Sequence, residues 1–155
     1  MAMKPIAQNK KAFHDYEILD RFEAGIALVG SEVKSIRAGR VNLKDSFVEV
    51  QDGEAWLLRC HVSPYEQAGV FNHEPERRRK LLLHDREIHR LDQKVRERGF
   101  SIVPLQMYFN DKGRIKVEIA LARGKREYEK KQKLKERDIR REVDRDVQRF
   151  RDRKK

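Results

Sequence analysis

Acid–base chemistry needs a histidine held against a carboxylate, and this chain offers two such neighbours, His14–Asp15 and His73–Glu74. Residues adjacent in sequence point apart on a strand, so neither is a ready proton-transfer couple. Surface or structural hydrogen bonding accounts for both. No GxSxG, Walker A, GxGxxG or HExxH run occurs. The single cysteine, Cys60, excludes an internal disulfide framework and a CxxC zinc site. In the run Trp56–Val62, alternation puts Trp56, Leu58, Cys60 and Val62 on one face, and Cys60 reads as a core thiol. The expectation is a protein that is not an enzyme and needs no cofactor or metal.

Basic residues are better placed for function. The last 32 residues, 124–155, carry 15 Lys/Arg against 8 Asp/Glu, a net of +7 within a total of +11. Their large apolar residues are only Tyr128, Leu134, Ile139, Val143, Val147 and Phe150. That is too little surface to offset ordering entropy, so this tail is expected to be loose when free. Within it, Ile139, Val143, Val147 and Phe150 follow i, i+4, i+8, i+11, the stripe of a helix that forms on a partner. Residues 1–123 are long enough to close one core and are nearly neutral. A folded head with a basic tail suits a polyanion, RNA first, because phosphate contacts release counterions. The longest apolar run, Ala24 to Gly30, is too short to span a membrane, and no apolar stretch follows the basic start. A cytoplasmic location is expected.

The elements that would position these groups are mostly strands. Ile115, Val117, Ile119 and Leu121 alternate with Arg114, Lys116, Glu118 and Ala120, a half-buried strand. Val103, Leu105, Met107 and Phe109 form its partner across Asp111–Lys112–Gly113. A second hairpin runs from Ser46–Val50 through Asp52–Gly53 into Ala55–Val62. A third pairs Asp15–Phe22 with Ile26–Val29 around a turn at Glu23–Ala24–Gly25. One short helix is capped by Ser31, with Val33 and Ile36 inward and Gly39 past its end. Another spans His84–Arg98, with Ile88, Leu91 and Val95 inward and Gly99 as stop. About six strands in hairpins with two helices predict a mainly β fold, a small antiparallel barrel.

On that frame, Asn9–Lys10–Lys11 supplies donors for phosphate and ribose, and Arg77–Arg78–Arg79–Lys80 forms a basic loop after Pro75. Glu23 stands among basic neighbours, where an acid would accept from base edges or 2′-hydroxyls or orient an arginine. Leu82 must point opposite to Leu81 and Leu83, free to pack on an unstacked base or to enter a second small core. Lys116 faces outward mid-strand, for phosphate or simply for solvent.

These residues resemble a known family. Asn9–Tyr16, Phe22–Ile26, Glu32–Gly39, Asn42–Leu43 with Asp45–Ser46–Phe47, Pro64–Tyr65, Arg79–Leu83 with Arg86–Glu87, and Gly124–Lys125 are similar, in order, to the SsrA-binding protein (small protein B) family. The resemblance covers nearly the whole chain. It implies an oligonucleotide-binding-type β-barrel with flanking helices, residues 1–123, and a tail, 124–155, that is helical on the ribosome. It implies a monomer that binds the tRNA-like domain of transfer-messenger RNA and delivers it, with elongation factor Tu, to the vacant A site of a stalled ribosome. The RNA-contacting positions it implies are Asn9, Glu23, Leu82 and Lys116; Lys10, Arg79, Lys80, Gly124 and Lys125 are expected to bind RNA beside them. Tyr128, Lys130, Lys131, Lys135 and Ile139 would engage the small-subunit decoding centre and mRNA channel. The tail departs from the family pattern at Glu129–Lys130–Lys131, often Asp-Lys-Arg, at Ile139, often aromatic, and at Asp146–Val147. A basic RNA-cleaving enzyme using His14 or His73 is the nearest rival, and a constitutive ribosomal protein a third reading.

Overall fold

The computed structural model describes residues 4–125 together with positions 145 and 148. The chain divides into two units at Arg123/Gly124, and the first is the body described below. In chain order it runs β1 (Lys4–Gln8), α1 (Lys10–Asp15), β2 (Tyr16–Ile26), α2 (Gly30–Arg37), β3 (Val41–Asn42), β4 (Phe47–Gln51) and β5 (Glu54–Leu58). Then follow β6 (His61–Val62), a 3-10 segment (Glu66–Phe71), β7 (Arg79–Leu82), α3 (Asp85–Arg98), β8 (Ser101–Phe109) and β9 (Ile115–Gly124). The large sheet has the order β1-β8-β4-β5-β7-β2-β9, and pairing of β8 with β9 closes it. A ring β8-β4-β5-β7-β2-β9 results: the antiparallel barrel that the alternation predicts. Closure leaves the ring strands no open edge.

Turn chemistry sets the two clear hairpins. Asp52 and Gly53 both take positive φ, 51° and 75°, as the two-residue β4–β5 turn requires. Gly113, at φ 74°, closes the β8–β9 turn, where the Asn110 side chain also accepts from the backbone N–H groups of Lys112 and Arg114. Glu32 and Glu87 cap α2 and α3 by accepting from the backbone N–H of Val29 and His84. Ser31 is therefore not the cap; it lies inside α2, and its hydroxyl meets His73.

Three strand readings need correction. No turn interrupts Glu23–Ala24–Gly25. β2 runs unbroken to Ile26, because Ala24, Gly25 and Ile26 are buried, and Gly25 and Ile26 pair with Leu82 and Leu81 of β7. In β5 the core face is Ala55 and Leu57, with Trp56 and Leu58 half-buried. Arg59, at φ 58°, then reverses the alternation so that Cys60 and Val62 return to the core. In β8 a register shift between Pro104 and Gln106 does the same. Ile102 and Met107 enter the barrel core, while Val103 and Leu105 join Ala120, Ala122 and Ala12 in a smaller cluster under α1. The β1 strand and α1 were not anticipated.

The innermost polar feature is an ion pair. Glu32 and Arg79 are both fully buried, and Arg79 Nε donates to Glu32 Oε2 at 2.5 Å. The other Arg79 nitrogens donate to the carbonyls of Cys60 and Pro75 at 2.6 and 3.1 Å. Glu32 Oε1 also accepts from Arg77 at 2.6 Å and Val29 N–H at 2.9 Å. Burial pushes the Glu32 carboxyl up, but Arg77, the Val29 N–H and Arg79 together outweigh it and hold the group below its ordinary value. Removing one partner strands the other charge in the core, so Glu32→Gln should cost about 3–5 kcal/mol in urea unfolding. With a depressed folded-state pKa, the Glu32 contribution is present above the ordinary carboxyl range and lost as pH falls through the depressed value. The wild type should therefore lose more stability on acidification than Glu32→Gln does. A loss under about 1 kcal/mol, typical of a surface pair, would contradict this.

Candidate nucleic-acid interface

β7 pairs with β2 so that Leu81 faces the core and Leu82 faces out, 54% exposed. Gly25 lies opposite Leu82, and a Cβ there would come within 3.2 Å of the Leu82 Cβ. The absence of a side chain at Gly25 thus lets the leucine lie close against β2. On the same outer surface, Glu23 precedes Gly25 by two residues and Lys116 of β9 pairs with Tyr108 of β8. These side chains open into one concave surface of about 700 Å³ that includes Glu23, Lys80, Leu82 and Lys116. Four predicted RNA-binding residues, from three strands far apart in sequence, are therefore brought together.

The electrostatics of this groove are not those of a simple phosphate trap. Glu23, Asp52, Glu54, Asp85 and Glu87 line it beside Lys80 and Lys116. Lys80 is tied to Glu54 at 3.1 Å, and Glu87 is spent on capping α3. Glu23 Oε2 accepts the hydroxyl proton of Tyr108, a side chain buried beneath the groove. Burial first, and the Glu23 carboxylate second, push the Tyr108 phenol well above its ordinary value of 10.0. No sequence pattern announced Tyr108; only the barrel's closure through β8–β9 places it under Glu23. Such a surface suits donors such as hydroxyls and exocyclic amines, with Lys116, which makes no ion pair among the described residues, available for a phosphate.

The other predicted positions lie elsewhere. Asn9 is buried: its side-chain oxygen caps α1 at Ala12 N–H, and its nitrogen donates to the Pro104 and Leu43 carbonyls. Its expected donors to RNA are spent inside the fold. Arg79 is likewise withdrawn, since it belongs to the buried pair. The Arg77–Lys80 run is thus not a free basic loop: Arg77 and Arg79 hold Glu32, Arg78 stacks 4.2 Å over Trp56, and Lys80 holds Glu54. Lys10 is exposed at the start of α1, and Gly124 ends β9, followed by Lys125. Tyr128, Lys130, Lys131, Lys135 and Ile139 lie outside the described residues.

The two histidine–carboxylate neighbours fare differently. His73 Nε2 faces the Val62 carbonyl at 2.9 Å and so carries the proton, leaving Nδ1 to accept from Ser31 Oγ at 2.8 Å. Both ring nitrogens are committed. His14 Nδ1 does meet Asp15 Oδ1, at 2.9 Å: the two sit at the end of α1 rather than on a strand, so they do not point apart as expected, and the contact is made on an exposed surface. Among the described residues no cluster of three or more His, Cys, Asp or Glu could hold a metal ion. Nor is any helix among them long and apolar enough to cross a membrane.

Comparison with known proteins decides the family. A family model described as "SmpB protein" matches residues 6–149. The chain belongs to the SmpB family. The SsrA-binding protein of Symbiobacterium thermophilum is 60% identical over 141 residues, spanning 91% of this chain and 89% of that protein. That of a Sulfurihydrogenibium species is 58% identical, spanning 93% and 94%. A chain in a solved structure described as "tmRNA-SmpB: a journey to the center of the bacterial ribosome" is 51% identical, with a TM-score of 0.65 over 77% of this chain and 83% of that one.

The groove geometry yields a spectroscopic expectation for this family member. A raised folded-state pKa means that the Tyr108 contribution to stability is present below about 10 and is lost as pH rises beyond it. In an ultraviolet titration, one of the four tyrosines should ionise only as the fold melts, and Tyr108→Phe should remove that late component. Normal ionisation of all four in the folded protein would show that the Glu23–Tyr108 contact does not form.

Proposed function

We propose that this chain binds the tRNA-like domain of transfer-messenger RNA and helps deliver it to the vacant A site of stalled bacterial ribosomes, as a cytoplasmic adaptor rather than a catalyst. Membership of the SmpB family over residues 6–149 carries the reading. The groove supplies a mechanism for it. In this reading Glu23, oriented by Tyr108, accepts from 2′-hydroxyls or base edges, the kind of contact by which folded RNA is told from a plain duplex. Leu82 packs on an exposed base or ribose, and Lys116 meets a phosphate beside them. Lys10 and Lys80 add charge at the margins, and Gly124–Lys125 begins the second unit.

The tail, 124–155, would then act on the ribosome. Its net charge of +7 repels itself in water, and ribosomal RNA phosphates would neutralise it and remove the penalty on helix formation. Lys130, Lys131 and Lys135 would face phosphate in the decoding centre and mRNA channel, with Tyr128 stacking near the start and Ile139 on the apolar stripe. Elongation factor Tu joins through the delivered RNA, and the body works as a monomer.

Glu23→Gln should weaken binding to the tRNA-like RNA by about 1.5–3 kcal/mol, the cost of a charge-assisted hydrogen bond, and far more than Lys44→Gln. Tyr108→Phe should weaken it too, and the two effects should fail to add, because both act through one carboxylate. Tighter binding by Glu23→Gln in a filter or calorimetric assay would reduce Glu23 to a surface acid near RNA. Truncation after Arg123 should leave this affinity within a few-fold while abolishing peptide tagging in a reconstituted stalled-ribosome assay. A collapse of RNA affinity on truncation would move the RNA site into the tail.

A further inference from the structure

The groove around Leu82 is negative on a strongly positive chain. Five carboxylates and two lysines line it, a net formal charge of −3, whereas the whole chain carries +11. Three of those acids have duties inside the fold: Glu23 takes the Tyr108 hydroxyl, Glu54 holds Lys80, and Glu87 caps α3. The other two, Asp52 and Asp85, are exposed, and their side chains make no hydrogen bond or ion pair among the described residues. They come from different elements, the β4–β5 turn and the first residue of α3, and both border the space beside Leu82. The fold has little need of either charge. Asn–Gly makes the same two-residue turn as Asp52–Gly53, since asparagine takes positive φ as readily as aspartate. A first-turn acid favours the dipole of α3, but Glu87 already supplies one and makes the cap.

Two unpaired carboxylates at the rim of an RNA site act by repulsion. A phosphate within a screening length of about 8–10 Å of either is pushed away. Lys80 is already tied to Glu54, which leaves Lys116 as the one unpaired lysine of the groove among the described residues. An RNA that enters must therefore bring a phosphate to Lys116 and turn hydroxyls or amines, not phosphates, toward the acids. A plain A-form duplex has no such arrangement, because regularly spaced phosphates border both of its grooves. A folded RNA with a bend or an unstacked stretch can provide it. Discrimination of this kind comes from what the wrong ligand suffers rather than from what the right one gains.

We propose that Asp52 and Asp85 are specificity-determining residues of the groove, excluding the phosphate backbone of ordinary duplex RNA while the tRNA-like RNA is admitted. This rests on the functional reading above and deepens it. The test is a competition on the full chain, in which unlabelled plain RNA duplex displaces labelled tRNA-like RNA. Duplex held by 124–155 alone does not empty the groove, so displacement reports entry into it. Asp52→Asn and Asp85→Asn should each lower the duplex concentration needed for half-displacement about threefold, the factor for one like-charge pair ~6–7 Å apart in water. The double substitution should lower it about tenfold, and both effects should shrink as salt rises. Affinity for the tRNA-like RNA, measured directly, should not rise. Glu76→Gln removes an exposed acid that does not line the groove, adds the same unit of charge to the chain, and should change neither quantity. Unchanged displacement by duplex, a Glu76→Gln effect equal to that of the rim variants, or a tRNA-like affinity that rises by the same factor would each overturn the proposal. A wild type that holds the tRNA-like RNA no better than the duplex would defeat the functional reading as well. A wild-type preference that the rim variants keep in full would defeat this proposal alone.

Discussion

A carboxylate and a guanidinium that leave water together must stay together, and the Glu32–Arg79 pair imposes that condition on the whole body. Either charge alone in the core would cost several kcal/mol. Satisfying both ties α2 to β7 and draws in the Cys60 and Pro75 carbonyls from two connecting segments. The pair also fixes the register of β7. With Arg79 inward, alternation sends Lys80 out, Leu81 in and Leu82 out. A slip by one residue would turn Arg79 outward, leave Glu32 buried without it and bury Lys80, so the ion pair forbids it. The outward leucine opposite Gly25 is thus a consequence of a salt bridge on the other side of the sheet.

The groove inherits its character from the same strand arrangement. Barrel closure through β8–β9 sets Tyr108 beneath Glu23 and Lys116 beside it. A tyrosine hydroxyl under a carboxylate engages one oxygen, Glu23 Oε2, and a carboxylate has a second to offer an incoming donor. An acid-rich groove with an exposed leucine would be a poor general polyanion trap. It is suited to contacts that a phosphate backbone alone cannot make, and that selectivity belongs with an RNA-binding family whose members must find one RNA among many. Bulk positive charge lies largely elsewhere, in 124–155.

Much of this was legible from local pattern. The Asp52–Gly53 turn, the β8–β9 hairpin, α3 with its Gly99 stop and the outward face of Leu82 all follow from short-range rules, and each is present. Two of the errors share a cause, which is that a single residue can reverse a period of two. Arg59 in the left-handed region and the shift at Pro104/Gln106 each flip the faces beyond them, and neither residue type advertises it. The Ala24–Gly25 pair looked like a turn because glycine marks turns more often than close strand approach; only the position of Leu82 explains it. Arg79 and Asn9 were read as RNA donors because composition cannot distinguish a buried, paired polar group from a waiting one. Glu23, Leu82 and Lys116 came from the family resemblance as much as from spacing, and their convergence required the fold.

The central claim is that RNA sits in the groove where Glu23, Leu82 and Lys116 meet. Its most direct test is a photo-crosslinking amino acid placed at Leu82, and at Lys44 as an exposed comparison outside the groove, followed by irradiation with the tRNA-like RNA and mapping of the linked nucleotides. The account predicts a specific crosslink from position 82 to one short RNA region and none above background from position 44. Equal labelling from both positions, or none from position 82 while the RNA remains bound, would contradict it.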